Sequence, residues 1–133
     1  MLFRSEVSDL SPQSSWPKLV IDRERMREVV FIIIENAVRY NVQNGTLTIA
    51  ANPLPSSFEL IVENTGSELS QDDKRKIFTE LFYRSTQAQL AYPTGMGIGL
   101  STAQAVIQAH GGSISINSRR QGGGVRVVVT LPY

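Results

Sequence analysis

Cysteine is absent from the 133 residues, which excludes disulfides, thiolate metal sites and a cysteine nucleophile. Histidine occurs once, as His110, so there is no material for a His-based metal cluster and little for a Ser-His-Asp triad. No apolar run approaches the roughly 18 residues that span a bilayer. The longest, Val29–Ile34, is cut by Glu35 and Asn36. The N-terminus has no basic region followed by an apolar core, so no signal peptide is visible. The expected compartment is the cytoplasm, with no direct membrane contact by this domain, although a longer parent protein is free to carry a membrane anchor. Excess charge of one sign is also missing: 13 Lys and Arg face 12 Asp and Glu, a net charge of +1. That excludes nucleic-acid binding driven by bulk electrostatics but leaves room for a local cationic pocket. What is present, 41% hydrophobic residues and 8% aromatics, suffices for one core, and the length suits a single domain of roughly 150 residues or fewer.

Residues 1–17 read as an irregular lead-in from a preceding domain, punctuated by serines and prolines, with Trp16 as its one large anchor. The organised domain is expected over 18–133. A helix is predicted from Asp22 to Tyr40: Asp22 is a good N-cap, Glu24 suits the first turn, and Met26, Val29, Val30, Ile33, Ala37 and Tyr40 recur at helical spacing. Asn44-Gly45 marks a turn. Strands are predicted over Thr46–Ala50 and Ser57–Glu63, where Phe58, Leu60 and Val62 alternate with Glu59, Ile61 and Glu63 as a one-faced sheet requires. A short helix from Gln71 to Tyr83, a loop from Ser85 to Thr94 and a helix from Ile98 to Ala109 follow. Gly111 then suits the left-handed C-cap position. Two further strands, Ser113–Asn117 and Val125–Leu131, are joined by a turn at Gly122–Gly124. The pattern predicts an α+β fold, a two-layer α/β sandwich with helices on one face of a mixed sheet.

Three segments carry candidate chemistry. Gly95, Gly97 and Gly99, just before a helix, let backbone N–H groups approach an anion closely, although a flexible loop would use the same residues. Asn36, Arg39 and Tyr40 share a helix face. An Asn beside an Ile-rich run needs polar partners, and a Mg²⁺ ion with phosphate oxygens and waters is one such set. A structural Asn beside a solvated Arg is the plainer reading. Glu63-Asn64-Thr65-Gly66-Ser67 places hydrogen-bonding groups at a strand end, as a ligand site or as a simple turn.

Taken together, residues 18–133 resemble the ATP-binding catalytic domain of sensor histidine kinases, in the Bergerat-fold superfamily shared with type II topoisomerases, Hsp90 and MutL. The resemblance lies in Glu35-Asn36-Ala37-Val38-Arg39-Tyr40 (the N box), Val62-Glu63-Asn64-Thr65-Gly66 (the first Gly box), Ile77–Arg84 (the F box) and Gly95-Met96-Gly97-Ile98-Gly99-Leu100-Ser101 (the second Gly box). Ala109–Ile114 and the closing Leu131-Pro132 also match, all in the family's order.

The resemblance implies an ATP-dependent protein-histidine kinase domain with ATP and Mg²⁺ as its ligands. Asn36 would coordinate the Mg²⁺, Glu35 would act catalytically by orienting a water or the acceptor, and Arg39 would contact phosphate. Tyr40 would lie against the adenine or ribose, Asn64 would accept a hydrogen bond from the adenine amino group, and Gly66 would let the backbone pass the base. Gly95, Met96, Gly97, Ile98, Gly99 and Leu100 would hinge a lid and cradle phosphates, with Phe78 and Phe82 bracing it. The implied partners are a His-containing dimerisation domain of the parent and a response regulator. The isolated domain is expected to be a monomer that binds nucleotide without completing autophosphorylation. His110 is expected to be structural. The chain departs from the family at Asn64, where Asp is usual, at Glu68, where a glycine is usual, and at Ile32, where a polar residue is common. Asn64→Asp with Glu68→Gly is therefore expected to raise ATP affinity. A regulatory module of the same fold with weak or no nucleotide binding, and a self-contained ATPase or serine-kinase relative, are the alternatives.

Overall fold

The computed structural model describes residues 3–9 (backbone), 17–39, 41–66, 99–119 and 122–133. They form, in chain order, β1 (Phe3–Asp9), α1 (Arg23–Arg39), β2 (Gly45–Pro53), β3 (Ser57–Asn64), α2 (Gly99–Ala109), β4 (Ser113–Ser118) and β5 (Val125–Pro132). The predicted helix over 71–83, the loop over 85–94, Glu68, Trp16, Phe78 and Phe82 lie outside the described residues.

α1 starts where its cap requires. The Arg25 N–H donates to Asp22 Oδ1 at 3.1 Å, and the Met26 N–H closes the first turn on the Asp22 carbonyl at 2.9 Å. Met26, Val29, Ile33 and Ala37 form the buried stripe, with Glu24 in the first turn and Arg39 in the last, as the helix dipole favours. α2 ends in a Schellman cap: Gly112 N–H donates to Ile107 O and Gly111 N–H to Gln108 O, both at 3.0 Å, with Gly111 at φ 74°. His110 staples the two helix ends together. Its Nε2 accepts the Asp22 N–H at 3.0 Å, which leaves Nδ1 to donate to the Val106 carbonyl at 2.8 Å. Both ring nitrogens are thereby engaged, as a structural histidine requires.

One part of the lead-in is a correction. Phe3–Asp9 is not irregular but a strand, paired in parallel with β2 from Phe3 opposite Gly45 to Asp9 opposite Ala51. Its local signal is weak because only Phe3 and Val7 are apolar in FRSEVSD; the pairing groups come from β2. Parallel neighbours need a long connection, and α1 lies within it.

The sheet has five strands in the order β1-β2-β3-β5-β4. β2–β3, β3–β5 and β4–β5 are antiparallel, so the sheet is mixed as expected. Register aligns Ile49, Val62, Val127 and Ile116 in one row, and Leu60, Val129 and Ile114 in the next. These residues pack with Val29, Ile33, Ala103 and Ile107 of the two helices into one core. Each fully buried Val or Ile contributes on the order of 1.5–3 kcal/mol. The opposite sheet face is polar in part: Glu63 lies 3.7 Å from Arg119 Nε and 3.5 Å from Arg126 Nε. Among the described residues no helix is long and apolar enough to cross a membrane.

Candidate functional site

The last turns of α1 present Glu35, Asn36 and Arg39. Four residues apart, Glu35 and Arg39 meet as an ion pair, Arg39 Nη2 to Glu35 Oε1 at 2.6 Å, with side chains 43% and 34% exposed. So accessible a pair is worth under about 1 kcal/mol, and a stronger anion can take Arg39 from it. Asn36 is half-buried beside the first turn of α2. A Cβ at Gly99 would sit 3.9 Å from Asn36 Nδ2 and 3.3 Å from Ile32 Cγ2. The small residue lets α2 approach, and Ile32 is apolar because it faces that helix. The first turn of α2 holds no acidic residue, so its free N–H groups and the dipole favour an anion there. Leu100 is half-buried in the same turn.

A second cluster closes β3. Asn64 is 6% exposed and occupies the helix-facing register row with Leu47 and Val125. Its Nδ2 donates to the Thr65 carbonyl at 2.8 Å. Only the NH₂ end of an amide can face a carbonyl, so Oδ1 is left as an acceptor. Gly66 follows, half-buried. The β4–β5 turn is pressed against this segment: a Cβ at Gly124 would overlap the Asn64 carbonyl, and one at Gly123 the Gly66 carbonyl.

Asn41 joins the two clusters, and nothing in the sequence pattern singled it out. It is the other buried polar residue among those described, 6% exposed. Its Oδ1 accepts the Val42 N–H at 2.9 Å and the Thr65 hydroxyl, and its Nδ2 donates to the Thr46 carbonyl at 3.1 Å. Asn41 stands three residues before Asn44 of the Asn44-Gly45 turn, so its pattern was that of any turn residue.

The structure thus brings Glu35, Asn36, Arg39, Gly99 and Leu100 to the meeting of α1 with α2, and Asn64 and Gly66 to the neighbouring strand end. Tyr40, Gly95, Met96, Gly97 and Ile98 lie outside the described residues. The Asn36 amide makes no hydrogen bond among the described residues. Nor do these contain a group of three or more His, Cys, Asp or Glu able to cage a metal ion. Asn36 turns its Nδ2 toward Gly99, and rotation of this free amide would offer its oxygen to Mg²⁺, which keeps waters and takes most ligands from phosphate.

Comparison with known proteins agrees with this geometry. The family model described as histidine kinase-, DNA gyrase B-, and HSP90-like ATPase matches residues 21–133. The sensor histidine kinase WalK of Bacillus subtilis is 34% identical over 115 residues, 85% of this chain and 18% of WalK. The adaptive-response sensory kinase SasA of Synechococcus elongatus is 35% identical over 103 residues, 77% of this chain and 26% of SasA. The chain therefore spans about a fifth to a quarter of these relatives. The solved catalytic domain of the histidine kinase ThkA, in a nucleotide-free form, superposes with a TM-score of 0.76 at 27% identity, covering 98% of this chain and 77% of that one. The mycobacterial sensor histidine kinase MprB shares the fold, with a TM-score of 0.79 at 21% identity over 98% of this chain and 82% of that one. With the four boxes, the mixed sheet and the juxtaposed helix ends, these matches establish that the chain belongs to the histidine kinase-, DNA gyrase B-, and HSP90-like ATPase family, as a catalytic domain of the sensor histidine kinase type.

Proposed function

We propose that this domain binds Mg-ATP between the α1–α2 junction and the end of β3 and offers the γ-phosphoryl to a histidine on a separate dimerisation domain of its parent. The bond from Pγ to the β–γ bridging oxygen breaks, a bond from Pγ to an imidazole nitrogen forms, and ADP leaves. The parent then passes the phosphoryl group to an aspartate of a response regulator. The observation that carries this reading is the Asn36 amide beside the start of α2, which makes no hydrogen bond among the described residues.

Catalysis of this kind is positioning plus charge neutralisation. Asn36 would hold Mg²⁺, which when bound would supply charge neutralisation at the phosphates. Arg39 leaves Glu35 for phosphate, which frees Glu35 to orient the acceptor. By the family resemblance, Gly95, Met96, Gly97, Ile98, Gly99 and Leu100 would cradle the phosphates. Asn64 Oδ1 would accept from the adenine amino group, Gly66 would leave space for the base, and Tyr40, by the family resemblance, would lie against the adenine or ribose. The complex of ThkA with the response regulator protein TrrA, whose kinase chain shares the fold with a TM-score of 0.72 at 23% identity, supports the regulator as the downstream partner. On this reading the chain acts in the cytoplasm and the isolated domain is a monomer.

Calorimetric titration with a non-hydrolysable ATP analogue, with and without Mg²⁺, tests the reading. Saturable, Mg²⁺-dependent binding is expected. No binding at millimolar analogue would refute it and favour a regulatory module of the same fold.

A further inference from the structure

The sequence separates Asn41 from Thr65 by 24 residues, yet the two are the hinge point between both halves of the site. From Thr65 the contacts run in two directions. Its hydroxyl donates to Asn41 Oδ1 and accepts the Thr46 N–H at 2.8 Å. Its carbonyl accepts Asn64 Nδ2 at 2.8 Å. On the other side, Asn41 sits two residues beyond Arg39, and the Asn41 N–H still bonds back to the Val38 carbonyl at 3.3 Å. The amide of Asn41 is engaged at both ends, Oδ1 by Val42 and Thr65 and Nδ2 by Thr46, so its orientation is fixed.

Gly45 shows how closely the clamp is built. A Cβ there would overlap both Thr65 Oγ1 and Asn41 Oδ1, and would lie 2.9 Å from the Val42 carbonyl. The clamp exists only because position 45 carries no side chain. Buried networks of this kind specify one geometry when every member is satisfied, and loosen as a unit when one member is lost.

We infer that Asn41 and Thr65 are positioning residues for base selection: they hold the Thr65 carbonyl where it turns the Asn64 amide, so that Oδ1 and not the NH₂ end faces the nucleotide base. An acceptor at that point selects a base bearing an exocyclic amino group, as adenine does, over one bearing a carbonyl there, as guanine does. Were the Thr65 carbonyl released, the Asn64 amide could reverse and present a donor, which favours the carbonyl base. Base discrimination by Asn64 then depends on two residues that do not touch the base. The inference rests on the nucleotide-binding reading above.

The test measures dissociation constants of ATP and GTP analogues for the parent chain, Thr65→Val, Thr65→Ser and Asn41→Ala, with thermal unfolding as a parallel control. Valine preserves the shape of Thr65 and removes the hydroxyl. The expected result is a roughly fivefold to tenfold smaller preference for ATP over GTP in Thr65→Val, recovered in Thr65→Ser, which restores the hydroxyl. A merely structural role would lower stability and weaken both nucleotides alike, with their ratio unmoved. That outcome, or a ratio in Thr65→Ser as low as in Thr65→Val, overturns the inference. Asn41→Ala is expected to follow Thr65→Val; if it fails to fold, the Thr65 pair decides the question. A parent chain that binds neither nucleotide refutes the functional reading, and this inference with it. A parent chain that binds with an unchanged ratio across the variants refutes the inference alone.

Discussion

Asn64→Asp is the most informative single change, because the family resemblance and the structure predict opposite consequences. By resemblance, Asp restores the usual residue and strengthens the bond to adenine. In this chain the Asn64 NH₂ group donates to the Thr65 carbonyl at 2.8 Å, and the residue is 6% exposed. An ionised carboxylate there sets oxygen against oxygen and loses that bond. The lost donor costs about 1–3 kcal/mol, and partial desolvation of the new charge brings the total to roughly 2–4 kcal/mol. For a chain of this length that corresponds to a Tm roughly 6–15 °C lower at pH 7.

The pH dependence carries the mechanism. When protonated, the introduced carboxyl donates to Thr65 as the amide does; when ionised, it cannot. Its pKa is therefore raised in the folded chain above the unfolded value of about 3.9. Between those two values the folded state binds more protons, so the variant loses stability as pH rises through that window. The Tm gap between the variant and the parent chain, followed by calorimetry from about pH 4 to pH 8, is expected to widen with pH. An equal Tm at pH 7, or a gap independent of pH, would refute the hydrogen-bond argument. So would an Asn64→Asp chain that binds the ATP analogue more tightly without loss of stability.

Gly45→Ala pushes a Cβ into the Asn41–Thr65 clamp, and its urea midpoint is expected to fall by the equivalent of about 1–3 kcal/mol; an unchanged midpoint would mean the clamp is not tight. Arg39→Ala removes a half-buried but solvent-accessible ion pair, so stability should change by less than about 1 kcal/mol, while affinity for the ATP analogue drops about tenfold or more. Equal affinity would remove Arg39 from the phosphate site. Asn36→Ala should bind the analogue with the same affinity whether or not Mg²⁺ is present, and a persistent Mg²⁺ enhancement would assign the metal to other groups.

Much of this protein is legible along the chain because its signals are local. The α1 cap at Asp22, the stripe of Met26, Val29, Ile33 and Ala37, the alternation of Phe58, Leu60 and Val62, and the glycine cap after Ala109 all follow from helix and strand periodicity. Each arises from residues within a few positions of one another, and each reappears in the structure within one to three residues of its expected bounds. The resemblance carried by the boxes and their order, rather than the chemistry of any one segment, implied a single site holding Glu35, Asn36, Arg39, Asn64, Gly66, Gly99 and Leu100.

The remainder depends on contacts between distant segments, which no local pattern encodes. FRSEVSD becomes a strand only because β2 offers it a hydrogen-bonding edge. β5 lies between β3 and β4, a choice made by which rows of side chains fill the core beneath two helices. Ile32 looks like a lost polar residue until Gly99 is found against it. Asn41, a turn residue by its neighbours, becomes the joint of the site through a bond to Thr65 across 24 positions. The sequence by itself determined α1, α2 and strands β2 to β5 and which residue types stand ready for phosphate and metal, since propensity and periodicity act over one or two turns of chain. Only the tertiary structure decided how the amides of Asn41 and Asn64 point, because a buried amide takes its orientation from the donors and acceptors that the fold sets around it.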